Sequence, residues 1–563
     1  MSYAFHLSNL SRRVLNVWRI IMPIVRYVFL SMFLILGLQL PLHSGQTRRA
    51  YFMQLQDNWE INGRLPTQAF LVSLQGLANG GAPGLYFCYP KNWPYGYTKD
   101  LKEYFGKTYG FDFKELLRPE DALHTFRDKV KGYVVWDTAV RTSLTVAFTV
   151  AGLSRAVVVS PEQIPMVEHE GLQRVADFRG KFQGKSDYEI YTWAFAQYWN
   201  RCNHEFLTYM GGVAGNSMQP GIADLGIYYR SFFTDLSCDP RDTLEYALAD
   251  KIMGRMKPMT SFVLGWHSYA KDLEAMYITL ISKHVLRQEG LNTWPNMSFT
   301  TQLPLTPGFK FRNRHNIVPG RKYVPEKKVY IACVQTDGLG LGAWLDPDRG
   351  AFPYTWETTD GNSLVHAPAL FEYFYTTATP NDYFIGALSG PSYMYPRAIP
   401  AEYLPKVIAM DRDLMKSLDL RIYGIMDRSH FGDRYVGNTN IPEGIVDAYY
   451  EGLPEAIGFI FGYGPCHTYD VRNHVPFLSY EYYLSAERPA EDAIADLKEL
   501  AVMNPRRPYY LVMHVRETSG INRVSGILKQ LGPEFEVVPL DILMKMAGED
   551  PTFKIRYLEE GLQ

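Results

Sequence analysis

The first 56 residues contain no aspartate or glutamate. Four arginines, Arg12, Arg13, Arg19 and Arg26, precede an apolar run over residues 27–38. A basic, acid-free flank ahead of a short apolar run is the pattern of an export signal. The chain also lacks any stretch of about 20 apolar residues, the length that crosses a bilayer. That shortness favours a cleaved signal peptide over residues 1–45. A signal anchor remains the other reading, because no A-x-A site follows and the nearest small-residue stretch is His43-Ser44-Gly45-Gln46. Contact with a membrane is expected only through this segment, and the rest of the chain is expected to be exported: secreted, periplasmic or tethered.

Other absences narrow the function. The five cysteines, Cys88, Cys202, Cys238, Cys333 and Cys466, form no CxxC pair, which excludes a zinc ribbon and a disulfide-dense scaffold; buried, inert thiols are expected. The formal net charge is only −2, and no basic stripe is interleaved with aromatics, so no nucleic-acid partner is expected. There is no G-x-S-x-G nucleophile elbow. Gly462-Tyr463-Gly464-Pro465 lacks the Gly-Lys-Ser/Thr of a phosphate loop and reads as a strand-end turn. No cofactor motif is present, and none is expected to be bound.

What the chain has in quantity is aromatic surface. Forty tyrosines, 31 phenylalanines and ten tryptophans bring the aromatic share to 14%. Tyrosine and tryptophan offer flat apolar faces with a polar edge, as sugar-binding clefts require, although many β-strands would also explain them.

The fold class expected is α/β. Residues 46–320 read as an N-terminal α/β region of one or two subdomains. It has a helix over 65–79, strands over 84–89, 132–136 and 156–159, helical segments over 98–113 and 143–151, and a strand over 261–266; residues of about 50 to 180 read as one α/β unit. A proline- and base-rich connector over 304–328 ends this half. From there the rhythm is regular, with candidate strands over 329–335, 351–356, 383–387, 420–426, 456–461, 475–479, 509–515 and 535–538, most separated by helix-length segments. Residues 321–548 are therefore expected to form a (β/α) barrel-like domain, with a tail over 549–563.

Active sites of such barrels lie at the C-terminal ends of the strands. Those ends carry Asp337, Glu357 and Asp360, Asp427, His467 and Asp470, Tyr480 and Glu481, and Arg516 and Glu517. Paired carboxylates are what glycosidic cleavage needs, one to protonate the leaving oxygen and one to attack or to activate water. Any single residue here also fits a solvated loop or a cap. A metal site drawing on Asp427, His430, Asp433, His467 and Asp470 was weighed against a hydrogen-bonded sugar-binding loop, and no metal is expected.

The stretch Gly390-Pro391-Ser392-Tyr393-Met394-Tyr395-Pro396, with the strand start Asp382-Tyr383-Phe384 before it, resembles the motif of the GxGYxYP putative glycoside hydrolase family. Ser392 stands where the motif has its second glycine. The family's Asp-Gly-Asp-Asn turn reads Asp337-Gly338-Leu339-Gly340 here. The resemblance covers about residues 325–548 and implies a glycoside hydrolase acting on an unidentified extracytoplasmic glycan. On that reading Asp337 and Glu357 are the leading catalytic carboxylates, with Glu517 and Asp427 in reserve. Tyr393, Tyr395 and Trp356 shape the cleft, and His467 and Asp470 bind substrate. The alternative, supported by Leu339 in the acidic turn, is a non-catalytic carbohydrate-binding or surface-scaffold protein on the same fold.

Overall fold

The structure, a computed structural model, describes residues 48–55, 65–90, 96–211, 223–289, 295–336, 339, 343–358, 363–431, 434–435, 441–466, 468–516 and 518–557. The N-terminal region is built on short strands, most of them fully buried. β1 (Arg48–Gln54), β2 (Leu85–Cys88) and β3 (Phe111–Glu115) form one sheet in the order β2-β1-β3. β4 (Gly132–Val135), β5 (Ala156–Val159) and β6 (Gln173–Asp177) form a second, parallel sheet in the order β5-β4-β6. β7 (Phe206–Met210), β8 (Phe232–Thr234), β9 (Phe262–Trp266) and β10 (Arg287–Glu289) form a third, in the order β10-β9-β7-β8, also parallel. The strands of residues 50–180 thus divide between two sheets rather than one. The expected helix over 98–113 stops at Tyr109, where Gly110 takes a left-handed φ of 72° and lets the chain turn directly into β3.

The C-terminal region is a closed barrel. β11 (Val329–Gln335), β12 (Tyr354–Thr358), β13 (Asp382–Gly386), β14 (Ile422–Ile425), β17 (Gly458–Phe461), β19 (Val475–Leu484) and β20 (Tyr509–Val515) pair in parallel around the ring, and β11 closes it against β12. Two minor strands, β15 (His430–Phe431) and β16 (Arg434–Tyr435), pair antiparallel after β14; β18 (Asp470–Arg472) pairs antiparallel with β19. The last candidate strand is present as β21 (Phe535–Val537) but lies outside the ring. β11 shares its partners: Val334 and Gln335 pair with β12, while Val329, Tyr330 and Ile331 pair with β21.

Alternation along each strand sorts the core. Tyr330, Ala332, Val334, Ile385, Ile460, Leu478, Tyr480 and Val512 pack in one cluster, with Leu540, Leu543 and Met544 of the helix Leu540–Glu549. That helix plugs the N-terminal end of the barrel so closely that a Cβ on Gly458, the first residue of β17, would lie 2.7 Å from Met544 Sδ. The out-facing residues Tyr354, Trp356, Phe459, Phe461, Leu511 and Met513 pack with the surrounding helices in a second cluster. All five cysteines are buried, and burial pushes the Cys88 and Cys202 thiols up to about 12, as inert core thiols require.

Among the described residues no helix is long and apolar enough to cross a membrane.

Candidate active site at the barrel mouth

Burial of a carboxylate inside a β-barrel needs a partner, and Glu357 has one. It is the penultimate residue of β12, is 1% exposed, and accepts a 2.9 Å hydrogen bond from the Tyr480 hydroxyl of β19. β12 and β19 are not neighbours in the ring, so this bond crosses the interior. Gly424 of β14 makes room for the carboxylate: a Cβ there would lie 3.4 Å from Glu357 Oε1. The Tyr480 ring lies 5.3 Å from that of His514 on β20, a fully buried histidine whose Nε2 is 2.5 Å from Thr336 Oγ1 just past β11. Four strands therefore contribute one polar layer, Thr336, Glu357, Tyr480 and His514, above the apolar plug.

Over this layer sit two half-buried rings. Tyr463, in the turn after β17, meets the His514 ring edge-on at 4.3 Å and the Tyr483 ring at 5.8 Å. Its carbonyl is bonded to His514 Nδ1, its hydroxyl to Arg516, and the Arg428 guanidinium lies 5.1 Å over its ring. The turn read from sequence as a strand end thus supplies an aromatic surface at the mouth. Its signal was the tyrosine between two glycines immediately after a strand.

Asp427 stands just beyond β14 and is fully buried, with Oδ1 accepting from Ser429 N at 2.9 Å and Oδ2 from Arg397 N at 2.8 Å. Burial pushes its carboxyl above the usual carboxylate range, against the opposing pull of those hydrogen bonds. Asp337, Asp360, Glu517 and His467 lie outside the described residues. Leu339, in the acidic turn, is 3% exposed and belongs to the apolar layer around the barrel.

Three expected cleft residues are core instead. Trp356 points out of the barrel, packs 4.9 Å from Trp344, and donates from Nε1 to Asp382 at 2.9 Å; the side chain before Glu357 in a strand must face the other way. Tyr393 and Tyr395 are 4% and 0% exposed. The Tyr393 hydroxyl donates to Glu274 at 2.5 Å, lies 3.1 Å from the Tyr395 hydroxyl, and its ring stacks on Trp266 at 6.2 Å. Tyr395 N donates to Ser282, and Ser392 Oγ accepts from Gln288 N at 3.1 Å. The motif loop therefore fastens the barrel to β9, β10 and the helix Glu274–Lys283. Ser392 is not among the residues with positive φ, so its Cβ introduces no backbone strain.

Asp470 is displaced as well. It pairs with Phe477 in the N-terminal half of β19, away from the mouth, and is held by Arg472 at 2.6 Å and Tyr557 at 2.5 Å. His430 is tied by its backbone N to Thr279. Asp433 and His467, the remaining members of the metal arrangement weighed from the sequence, lie outside the described residues.

Comparison with known families bears on the same region. The GxGYxYP putative glycoside hydrolase C-terminal domain matches residues 327–548, and the second and third N-terminal domains of that family match 130–202 and 204–302. This chain belongs to the GxGYxYP family. The family's C-terminal domain takes in the whole barrel and its plug helix, and its third domain holds β7 to β10, on which the motif loop packs. No curated protein matches the chain. A putative hydrolase from Bacteroides thetaiotaomicron VPI-5482, solved as a crystal structure, shares 16% identity with a TM-score of 0.72, over 90% of this chain and 96% of that one. The likeness to that structure is one of fold. Family and fold together support a hydrolase-like function.

Proposed function

We propose that this GxGYxYP family member cleaves a glycosidic bond at the barrel mouth. The observation that carries the reading is Glu357: a carboxylate at the C-terminal end of a barrel strand, buried and oriented across the interior by Tyr480. In this role Glu357 is the carboxylate that attacks the anomeric carbon or takes a proton from the attacking water. Asp427, whose proton burial helps retain, donates to the leaving oxygen. The Tyr463 and Tyr483 rings give the sugar an apolar face to stack on. Asp337 and Glu517 stay in reserve as carboxylates that follow β11 and β20 in sequence.

The roles are separable by leaving group. Asp427→Asn is expected to slow release of a natural glycan strongly while sparing a dinitrophenyl glycoside, whose leaving group needs no proton. Glu357→Gln is expected to abolish turnover of both. Equal loss on both substrates for Asp427→Asn removes it as the acid. The extracytoplasmic setting is part of the proposal, supported by the acid-free leader; a reporter fused after residue 45 that stays in the cytoplasm contradicts it.

The non-catalytic reading is supported by one observation, the packing of Leu339 into the core where the family turn has an acid. Saturable glycan binding by the wild type without released sugar decides for it.

A further inference from the structure

The two parallel sheets β5-β4-β6 and β10-β9-β7-β8 share a design. In each, the first strand runs to a neighbour on one side and the chain then crosses to the other side, which places a topological switch point between β4 and β6 and between β7 and β9. Ligands of open α/β sheets bind at such points, outside the carboxyl ends of the strands. Here both switch points open on one cleft of about 440 Å³, lined by the loops after β4, β6, β8 and β9 and by Met210 at the end of β7. That volume suits a single sugar or a short oligosaccharide.

The chemistry of the walls is mixed. Lys271, after β9, is 2.6 Å from Asp187, 3.1 Å from Glu245 and 3.4 Å from Asp235. Thr142 donates to Asp187, and Tyr191 donates to Asp235 at 2.5 Å. The loop that carries Lys271 is itself fixed. Asp272 accepts from Cys238 N at 2.6 Å and lies 2.8 Å from His267 Nδ1, both residues of the pair being buried. Arg141, at the start of the helix Thr142–Ser154, lines the cleft too, yet its Nη1 is shielded from water and makes no hydrogen bond. A shielded guanidinium N–H without an acceptor has room for a ligand oxygen, and a carboxylate is the acceptor that a guanidinium fork matches best.

We infer that this cleft binds an acidic sugar of the uronic-acid class. Its carboxylate is taken by Arg141, and its hydroxyls by Asp187, Asp235 and Lys271, groups that accept from and donate to vicinal hydroxyls. The Phe182 and Met210 side chains supply apolar contact for the ring. A phosphate dianion leaves most of the cleft empty and meets two carboxylates. A neutral hexose offers Arg141 only an uncharged hydroxyl oxygen, a weaker acceptor than a carboxylate. The inference does not rest on the barrel reading, since none of these residues belongs to the barrel.

Titration of the full chain with galacturonate and glucuronate, beside glucose, galactose and inorganic phosphate, tests it. Saturable binding of a uronate at about millimolar concentration is expected, weakened about tenfold or more in Arg141→Gln. Ala139→Trp, which puts a ring on an exposed wall of the cleft, is expected to block binding with the fold intact, and it decides the matter should Arg141→Gln fail to fold. Glu357→Gln is expected to bind as the wild type does. Absence of uronate binding, equal binding of neutral hexoses, preference for phosphate, or a site lost in Glu357→Gln but kept in Ala139→Trp overturns the inference.

Discussion

Replacing Tyr393 tests the claim that the family motif holds the molecule together rather than touching substrate. The ring is 4% exposed, stacks on Trp266, and its hydroxyl makes hydrogen bonds to Glu274 and Tyr395. Tyr393→Phe keeps the ring and removes a hydrogen bond to a carboxylate, a change worth about 1.5–3 kcal/mol. Tyr393→Ala also opens an aromatic-sized cavity between the barrel and the helix Glu274–Lys283, and large-to-small aromatic changes in cores cost about 3–5 kcal/mol. The two variants should therefore fall in order, Ala well below Phe. Val502→Ala, at a side chain 78% exposed, should stay within about 0.5 kcal/mol of wild type. Urea unfolding followed by tryptophan fluorescence reads the shifts in midpoint, and Trp266 reports on the contact itself. A Tyr393→Ala midpoint equal to that of Val502→Ala, accompanied by lost glycan binding, refutes the fastening role and returns Tyr393 to the cleft.

Further outcomes follow from other residues. Tyr480→Phe removes the bond that orients Glu357 and is expected to lower kcat about 10–100-fold with KM little changed, while Tyr480→Ala also loosens the barrel interior; unchanged kcat in the Phe variant removes Tyr480 as a positioning residue. Asp224, fully buried, has its carboxyl pushed by burial from 3.8 up to about 6, against hydrogen bonds from Ser298. The folded state therefore holds this proton more tightly than the unfolded chain, so stability falls as pH rises from about 4 to about 6, by roughly 2–3 kcal/mol. Asp224→Asn is expected to flatten that part of the stability profile in urea titrations at successive pH values; an unchanged slope contradicts the assignment. His366 is held down to about 3, chiefly by burial and also by Arg287, so the fold is expected to lose stability as pH falls below about 6.5, and His366→Phe to lessen that loss.

Much of the barrel was legible because its strands are apolar runs at even spacing. β11 and β20 have the boundaries that their sequences announce, and both are buried along their whole length. The N-terminal strands were harder. β6 is largely exposed and reads Gln-Arg-Val-Ala-Asp, β8 and β10 are three residues long, and β3 reads as the continuation of a helix. Pattern alone does not separate these from loops. At the site, Glu357 was legible as a strand-end carboxylate. Its partner Tyr480 was visible only as another strand-end polar residue, since a bond across the barrel depends on closure. Tyr393 and Tyr395 misled because a Gly/Pro-rich loop with tyrosines fits both a cleft and a buried clasp; the acceptors that decide between them, Glu274 and the Ser282 hydroxyl, lie more than a hundred positions earlier in the chain.

The central claim is that Glu357 performs chemistry at the barrel mouth, and release of reducing ends by wild type and Glu357→Gln from a panel of glycans tests it most directly. Gln keeps the shape and can still accept from Tyr480, so the variant is expected to fold and bind as wild type does while its rate drops by several orders of magnitude. A Glu357→Gln protein that releases sugar at the wild-type rate contradicts the account.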